Sequence, residues 1–374
     1  MKRLGIYVVY DADGMIDEYI AKVLAGLRMH LAELIVVCNF TEAKGGQGYI
    51  EKYADEITYR KNIGFDAGAY KDVIQELYAA GKMQEIDEML LANDSFYGPI
   101  DSFDPVFMLM GQSSCDYWGL TRYPGGNYEE MEISPHIQSY FMCFRRNVIN
   151  SSAFYNFWLG MEYPTTFIDA VFHFEFRLNH ILEEAGLIGK IYIEEISGGL
   201  DVKYGENPYM KYPCELIRDL GVPVIKRKAF DFENDGFSNA LAAFSYIDRC
   251  TGFDAGIIRK HLIRTSQRPG NAPGFDLNAL HDFYRRHSSI YIYGAGGWGK
   301  NLASYFAYKG WKFQKYIVSD SKKWEENVIR YDEAELNESD GIIIAVGKKK
   351  VIEEIYSTIL KRHKAEHIFK PSYI

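Results

Sequence analysis

Several polar side chains stand where short apolar runs end, and their types suit proton transfer and the handling of a charged ligand. Asp94 follows Met89–Ala92 in the turn Ala92-Asn93-Asp94-Ser95. A carboxylate there can hold a cation or ligand, or close an Asx-turn. Asp66 ends the stretch Arg60-Lys61-Asn62-Ile63-Gly64-Phe65-Asp66, where it either meets a ligand or caps the helix that follows. Arg60 and Asn62 offer donors to a nucleotide, or they shape the turn. His136, in Pro135-His136-Ile137-Gln138, and Glu175, at the start of a helical pattern, are groups that could take a proton from a hydroxyl. The plain readings are a structural histidine and a first-turn acid favoured by the helix dipole. Asp169 is a further acid in the same region.

The elements around these residues follow from apolar spacing. Ile57–Tyr59 reads as a strand, and Tyr70, Val73, Ile74, Leu77 and Tyr78 form one buried helix face that Gly81 stops. Glu88–Leu91 reads as the next strand, which completes a βαβ unit. Upstream, Leu4–Tyr10 is a strand covered on both faces. The turn Asp11–Gly14 follows, then a helix carrying Ile16, Ile20, Val23, Leu24, Leu27 and Leu31. Leu34–Cys38 is another buried strand, ending at Asn39. The loop to Gly48 holds three glycines and is expected to be mobile. The result is a parallel α/β half whose strand C-termini form the edge where ligands sit. We read that edge as the floor of a nucleotide-sugar site, with Tyr10, Asn39, Arg60, Asn62, Gly64, Asp66, Asn93 and Asp94 on the donor side.

Beyond Asp94 the spacing predicts strands at Asp116–Arg122, Gln138–Arg145 and Lys190–Glu194. Helices are expected over Ala153–Met161 and over Phe174–Ala185, whose opening turn holds Glu175. Residues 206–288 read as a mostly helical extension and linker after a first domain of residues 1–205. The extension carries a basic run at Arg259, Lys260, His261, Arg264 and Arg268, and a Pro/Gly-rich linker at Gln267–Gly274. The run is a solvated face or a contact for anionic lipid headgroups. A third unit, residues 289–374, is Rossmann-like: a strand at Ile290–Tyr293 leads into Gly294, Gly296 and Gly299 of a GxGxxG loop, and Asp320 stands where a ribose-binding acid belongs. At 86 residues it is about half a dinucleotide domain, so a structural or regulatory module is favoured over a working NAD site.

Composition narrows the classes. A chain of 374 residues with 47% hydrophobic and 25% charged content is an ordinary multidomain globular protein. Its net charge of −9 speaks against bulk nucleic acid as a partner. Five scattered cysteines without a CxxC fit reduced thiols in a cytoplasm, and no apolar run is long enough to span a bilayer. A soluble cytoplasmic protein is expected. Twenty-nine tyrosines could stack sugars or bases, or simply fill a core.

Laid out in order, the strings RLGIYVVYDADG, RKNIGFDAGAYKD, LLANDSFYGP, DYWGLTR, HIQSYFMCFRR and IDRCTGFDAGIIRKHLIRT resemble the rhamnan synthesis protein F family of bacterial polysaccharide glycosyltransferases. The resemblance covers about residues 3–265 and leaves the last unit outside. It implies a GT-A-like nucleotide-diphospho-sugar transferase fold and transfer of a deoxysugar, typically L-rhamnose, from a dTDP or UDP donor. The acceptor would be a glycan or lipid-linked oligosaccharide, with peripheral contact at the inner membrane face. By the same resemblance Asp94 is the metal-binding carboxylate, for Mg2+ or Mn2+, and Glu175 or His136 activates the acceptor hydroxyl for inversion. One departure stands out: where GT-A enzymes carry Asp-x-Asp this chain has Asn93-Asp94-Ser95, so a metal-free site using Arg60 or Lys61 stays open. Two other classes stay open too. One is an NAD(P)-dependent sugar oxidoreductase or epimerase working through the C-terminal GxGxxG; the other is a non-catalytic glycan-binding subunit.

Overall fold

The computed structural model describes residues 1–128, 131–196, 200–230, 239–266, 275–319 and 327–371. They form two compact units: residues 1–208 with 216–226, and residues 209–215 with 227–374. The short strand at Ile225–Lys226, beyond the first domain expected from the sequence, belongs to the first unit.

The first unit is a mixed α/β layer. Its strands are β1 (Arg3–Val9), β2 (Glu33–Cys38), β3 (Glu56–Tyr59), β4 (Glu88–Asn93), β5 (Phe96–Tyr97), β6 (Tyr117–Gly119), β7 (Arg122–Tyr123), β8 (Gly126–Tyr128), β9 (Met131–Ile133), β10 (His136–Ile137), β11 (Phe141–Arg145), β12 (Gly189–Ile191) and β13 (Ile225–Lys226). Seven of them make one sheet in the order β12-β6-β11-β4-β1-β2-β3. Strands β1 to β4 run parallel, and β11 is antiparallel to both its neighbours. Every residue of β1 is buried, as expected of a strand covered on both faces. Helix Glu18–Arg28 packs with Tyr19, Ile20, Val23, Leu24 and Leu27, and helix Phe65–Ala79 with Tyr70, Val73, Ile74 and Leu77. At the sheet end away from the polar turns, buried Arg3 donates to Glu88 across the β1–β4 register at 2.7 Å.

Several sequence expectations shift. Asp116–Arg122 is not one strand: β6 stops at Gly119, and β7 pairs instead with β10. A Cβ at Gly119 would lie 2.3 Å from Ile137, so β10 can pass close only because this residue is glycine. Gln138–Arg145 likewise splits, leaving β11 to start at Phe141. Lys190–Glu194 is strand only to Ile191, after which Tyr192–Glu195 turns helical. The loop before Gly48 is tied down, with Ile16 N–H donating to Gly45 O at 3.0 Å and Lys44 N–H to Gly14 O at 2.8 Å. The helix read from Phe174 begins at Phe167 and passes through a π-helical stretch, Val171–Phe176, before continuing over Arg177–Glu184. Glu175 therefore lies within the helix rather than in its first turn.

The second unit contains a five-stranded parallel sheet: β14 (Ile290–Tyr293), β15 (Tyr316–Val318), β16 (Val328–Arg330), β17 (Gly341–Ile344) and β18 (Ile368–Phe369), ordered β16-β15-β14-β17-β18. Helix Gly297–Lys309 follows β14. The glycines of that turn serve close packing, since a Cβ at Gly299 would lie 1.9 Å from Gly294 O and one at Gly294 would lie 2.4 Å from Ala345 O. Gly296 begins the helix with open space beside it. Asp320, the Gln267–Gly274 linker and Arg268 fall outside the described residues. The basic run on helix Ala255–Ser266 is not one solvated face: His261 is buried and Arg259 lies 5.5 Å from the Phe244 ring.

The turn between β3 and its helix is tightly built. Gly64 (φ 77°) and Phe65 (φ 55°) are both left-handed, and a Cβ on Gly68 would lie 2.2 Å from Ile63 O. Gly68→Ala is expected to cost about 1–3 kcal/mol, read as a lower urea midpoint. An unchanged midpoint would mean that this turn opens freely.

Candidate functional site

The β3 turn is built from the inside. Asn39, buried at the end of β2, donates to Phe65 O at 2.8 Å and accepts from Arg60 Nη1 at 2.6 Å. Arg60 also reaches Asp72 through Nε at 2.9 Å and Ile63 O through Nη2 at 2.8 Å. Its guanidinium thus clamps the turn rather than standing open to a phosphate. Asn62 keeps a buried Oδ1 without a hydrogen-bond partner among the described residues.

The next residue pair joins two turns. Asn93, at the end of β4, donates to Asp66 Oδ2 at 2.6 Å, while Asp66 Oδ1 accepts from Ala67 N–H at 2.9 Å. Asn93 Oδ1 accepts from Ser95 N–H at 3.1 Å and Ser95 Oγ at 2.5 Å. Asp94 Oδ2 accepts from the backbone N–H of Tyr10 at 3.2 Å, and Tyr19 OH donates to Asp94 O at 3.0 Å. Tyr10, Asp66, Asn93 and Asp94 therefore meet at one edge of the sheet, and Tyr10 keeps its ring exposed. Burial pushes the Asp66 carboxyl above its ordinary range, and the Glu175 charge adds to it. The hydrogen bonds from Asn93 and Ala67 and the Lys226 charge pull the other way.

Lys226 is the residue that sequence reasoning missed. Strand β13 pairs antiparallel with β5, placing Lys226 opposite Phe96. From there its ammonium donates to Ser95 Oγ at 2.7 Å and lies 4.1 Å from the Tyr140 ring centre. With 131 positions between Lys226 and Ser95, no local pattern could have revealed the contact.

On the far side of β4, Glu175 and His136 form one unit. His136 Nε2 faces Glu175 Oε1 at 2.9 Å, and Nδ1 faces Ser134 O at 2.8 Å. An imidazole with oxygen acceptors at both nitrogens is fully satisfied only as the imidazolium. Burial works against that charge, but the Glu175 hydrogen bond and charge outweigh it and raise His136. Glu175 Oε2 accepts from the N–H of Ser139 at 2.9 Å and from its hydroxyl. Burial would push this carboxyl up, yet His136 and Ser139 together hold it down to about 2. The π-helical stretch and Asn179, which donates to Glu175 O at 2.8 Å and Ile137 O at 3.1 Å, fix the carboxylate against β10. Asp169 is spent elsewhere: its Oδ2 accepts from Thr165 and Thr166, closing a capping box.

A divalent metal at this edge would find one carboxylate in the turn, Asp94. Among the described residues no three His, Cys, Asp or Glu side chains stand close enough to hold one. Asp94 is flanked by an amide and a hydroxyl, and the cation beside that hydroxyl is Lys226.

These charges set the pH behaviour. The His136 share of the pair stabilises the fold below 6.5 and is lost as pH rises through its raised value. The Glu175 share is present above 4.5 and is lost as pH falls through about 2. The melting-temperature advantage of wild type over His136→Gln is therefore expected to peak at about pH 5–6 and shrink in alkali. A pH-independent difference would contradict the ion pair. Asp66→Asn removes a charge that burial disfavours, so it should melt no lower than wild type at pH 7 while losing ligand affinity; a marked drop in melting temperature would make Asp66 a structural residue instead.

The chain is 25% identical over 155 residues to the uncharacterized protein y4gN of Sinorhizobium fredii (strain NBRC 101917 / NGR234), covering 41% of this chain and 39% of that protein. It is 28% identical over 109 residues to the virulence protein VirA of Vibrio anguillarum (strain ATCC 68554 / 775), covering 29% and 32%. The chain thus spans well under half the length of these curated relatives. Among solved structures, a 4-diphosphocytidyl-2C-methyl-D-erythritol synthase matches at 11% identity and TM-score 0.34 over 56% of this chain and 97% of that one. A cytidylyltransferase from Leptospira borgpetersenii serovar Hardjo-bovis (strain JB197) matches at 11% and 0.29 over 55% and 80%. Likenesses at that level carry no argument about function. The family model of rhamnan synthesis protein F matches residues 34–280, well over half of the chain, and the chain belongs to that family.

Proposed function

We propose that this chain is an inverting glycosyltransferase of cell-surface polysaccharide synthesis. It would move a sugar, L-rhamnose or a related deoxysugar, from a dTDP or UDP donor to a glycan or lipid-linked acceptor. The observation that carries this reading is the Asn93–Asp66 hydrogen bond, which unites the turns after β3 and β4 beside Asp94 at the carboxyl edge of a parallel sheet. Membership of the rhamnan synthesis family supports the class of reaction. The single reversed strand in the seven-stranded sheet supports a GT-A-like description of this unit.

In this reading the exposed Tyr10 ring stacks on the nucleotide, and Asp66 meets the base or ribose. Arg60, Asn39 and Gly64 hold the turn that presents Asp66. The acceptor oxygen attacks the anomeric carbon in line. The bond from that carbon to the diphosphate oxygen breaks, its electron pair leaves with the diphosphate, and one displacement inverts the centre. Glu175 takes the acceptor proton. A carboxyl held down to about 2 is a weak base, but a weak one suffices. The hydroxyl becomes strongly acidic only as its oxygen bonds to an electron-poor carbon. His136 keeps Glu175 ionised and oriented.

The second unit is read as a Rossmann-like structural or regulatory module, whose Gly294 and Gly299 serve packing. No helix among the described residues is long and apolar enough to cross a membrane. A place on the cytoplasmic face, against a lipid-linked acceptor, is part of the same proposal.

Glu175→Gln is expected to lower turnover by roughly 100-fold or more, with donor binding little changed, measured as nucleoside diphosphate release from a panel of dTDP- and UDP-sugars. Activity within a few-fold of wild type would remove Glu175 as the base. Failure of every nucleotide sugar to turn over or bind would remove the transferase reading.

A further inference from the structure

We propose that the Lys226 ammonium fills the place of a divalent metal at the donor diphosphate, so that this site handles its leaving group without a bound ion. The inference rests on the transferase reading above and names the group that neutralises the diphosphate.

A diphosphate departing from a sugar carries charge that must be met by a metal ion or by protein donors. The strand-end turn here offers a single carboxylate, Asp94, between Asn93 and Ser95. Asp66, the other acid at this edge, is already committed to Asn93 and to its neighbour's N–H. Arg60, which might have served, is drawn inward by Asn39, Asp72 and Ile63 O. Lys226 is placed differently. It donates to the hydroxyl of Ser95, the third residue of the turn and the position where a second acid would complete a metal motif. Its charge also reaches Asp66 and partly offsets the burial of that carboxyl. One amine thus stands beside the turn and within electrostatic reach of the neighbouring acid.

The mount is rigid. The β13–β5 pairing fixes Lys226 opposite Phe96, and Ile100 N–H donates to Pro223 O at 2.7 Å. Val222 N–H closes onto Leu216 O at 2.8 Å, which ties the segment to the preceding helix. Gly98 permits the approach, since a Cβ there would lie 2.7 Å from Pro223 O. The Tyr140 ring, 4.1 Å from the ammonium, offers its face to the positive charge. An ammonium with three donors on a flexible stem can swing from Ser95 onto phosphate oxygens as a point charge.

The test uses the full-length protein and titration calorimetry with dTDP and UDP, in EDTA and then in Mn2+. Wild type is expected to bind a diphosphate in EDTA with affinity within a few-fold of that in Mn2+. Lys226→Met should weaken the diphosphate by roughly 10- to 100-fold and leave thymidine or uridine binding, followed by saturation-transfer NMR, unchanged. Lys226→Arg should recover part of the loss. Nucleoside binding by Lys226→Met also reports that its site is folded. Diphosphate binding by wild type that appears only with Mn2+, or equal affinity in Lys226→Met, overturns the inference and leaves the transferase reading standing. If no nucleoside diphosphate binds under any condition, the transferase reading falls and takes this inference with it.

Discussion

A hydrogen bond of 2.6 Å from the Asn93 amide to the Asp66 carboxylate holds the candidate site together. In the sheet, β3 and β4 are not neighbours, because β1 and β2 lie between them. Helix Phe65–Ala79 therefore starts back across the sheet, and its first turn meets the end of β4 on the way. The left-handed pair Gly64 and Phe65 makes that crossing start sharply, and the close approach of Gly68 to Ile63 keeps the turn shut. Asn39 and Arg60 brace it from beneath. Local strain, a buried amide and a guanidinium clamp all serve to present one carboxylate.

That presentation creates an electrostatic problem. Asp66 and Glu175 feel one another, and burial penalises both. The two are relieved in different ways. Glu175 is paired with an imidazolium and accepts from Ser139, so it stays ionised. Asp66 has only an amide, one backbone N–H and the more distant Lys226 charge, and its carboxyl is raised. A site with two acids tuned in opposite directions can assign them different work: one to contact the donor, the other to accept a proton.

Much of this was legible in the sequence, and the reasons are specific. Strands β1, β2 and β4 are near-continuous apolar runs, and each ends in a polar turn, so the polar carboxyl edge of the sheet could be located before any contact was known. Glu175 was picked out, but its setting was misread, because a π-helical stretch has no signature in 3.6-residue spacing. For Arg60 the sequence leaves two readings, a nucleotide donor or a turn former, since it shows the charge and not the inward partners Asn39 and Asp72. The break after Gly119 was hidden because the β7–β10 pairing that takes the chain out of the sheet joins it to a distant strand. Lys226 was invisible for the same reason: its partner Ser95 lies 131 positions away.

The account stands on the claim that the carboxyl edge of β1, β2 and β4 is where a nucleoside diphosphate binds. A crystal structure of the full chain soaked with dTDP or UDP tests it directly. The account predicts the nucleotide across that edge, with Asp66 within hydrogen-bond distance of its base or ribose. Nucleotide density at the Gly294–Gly299 turn of the second unit, with the first unit empty, would contradict it.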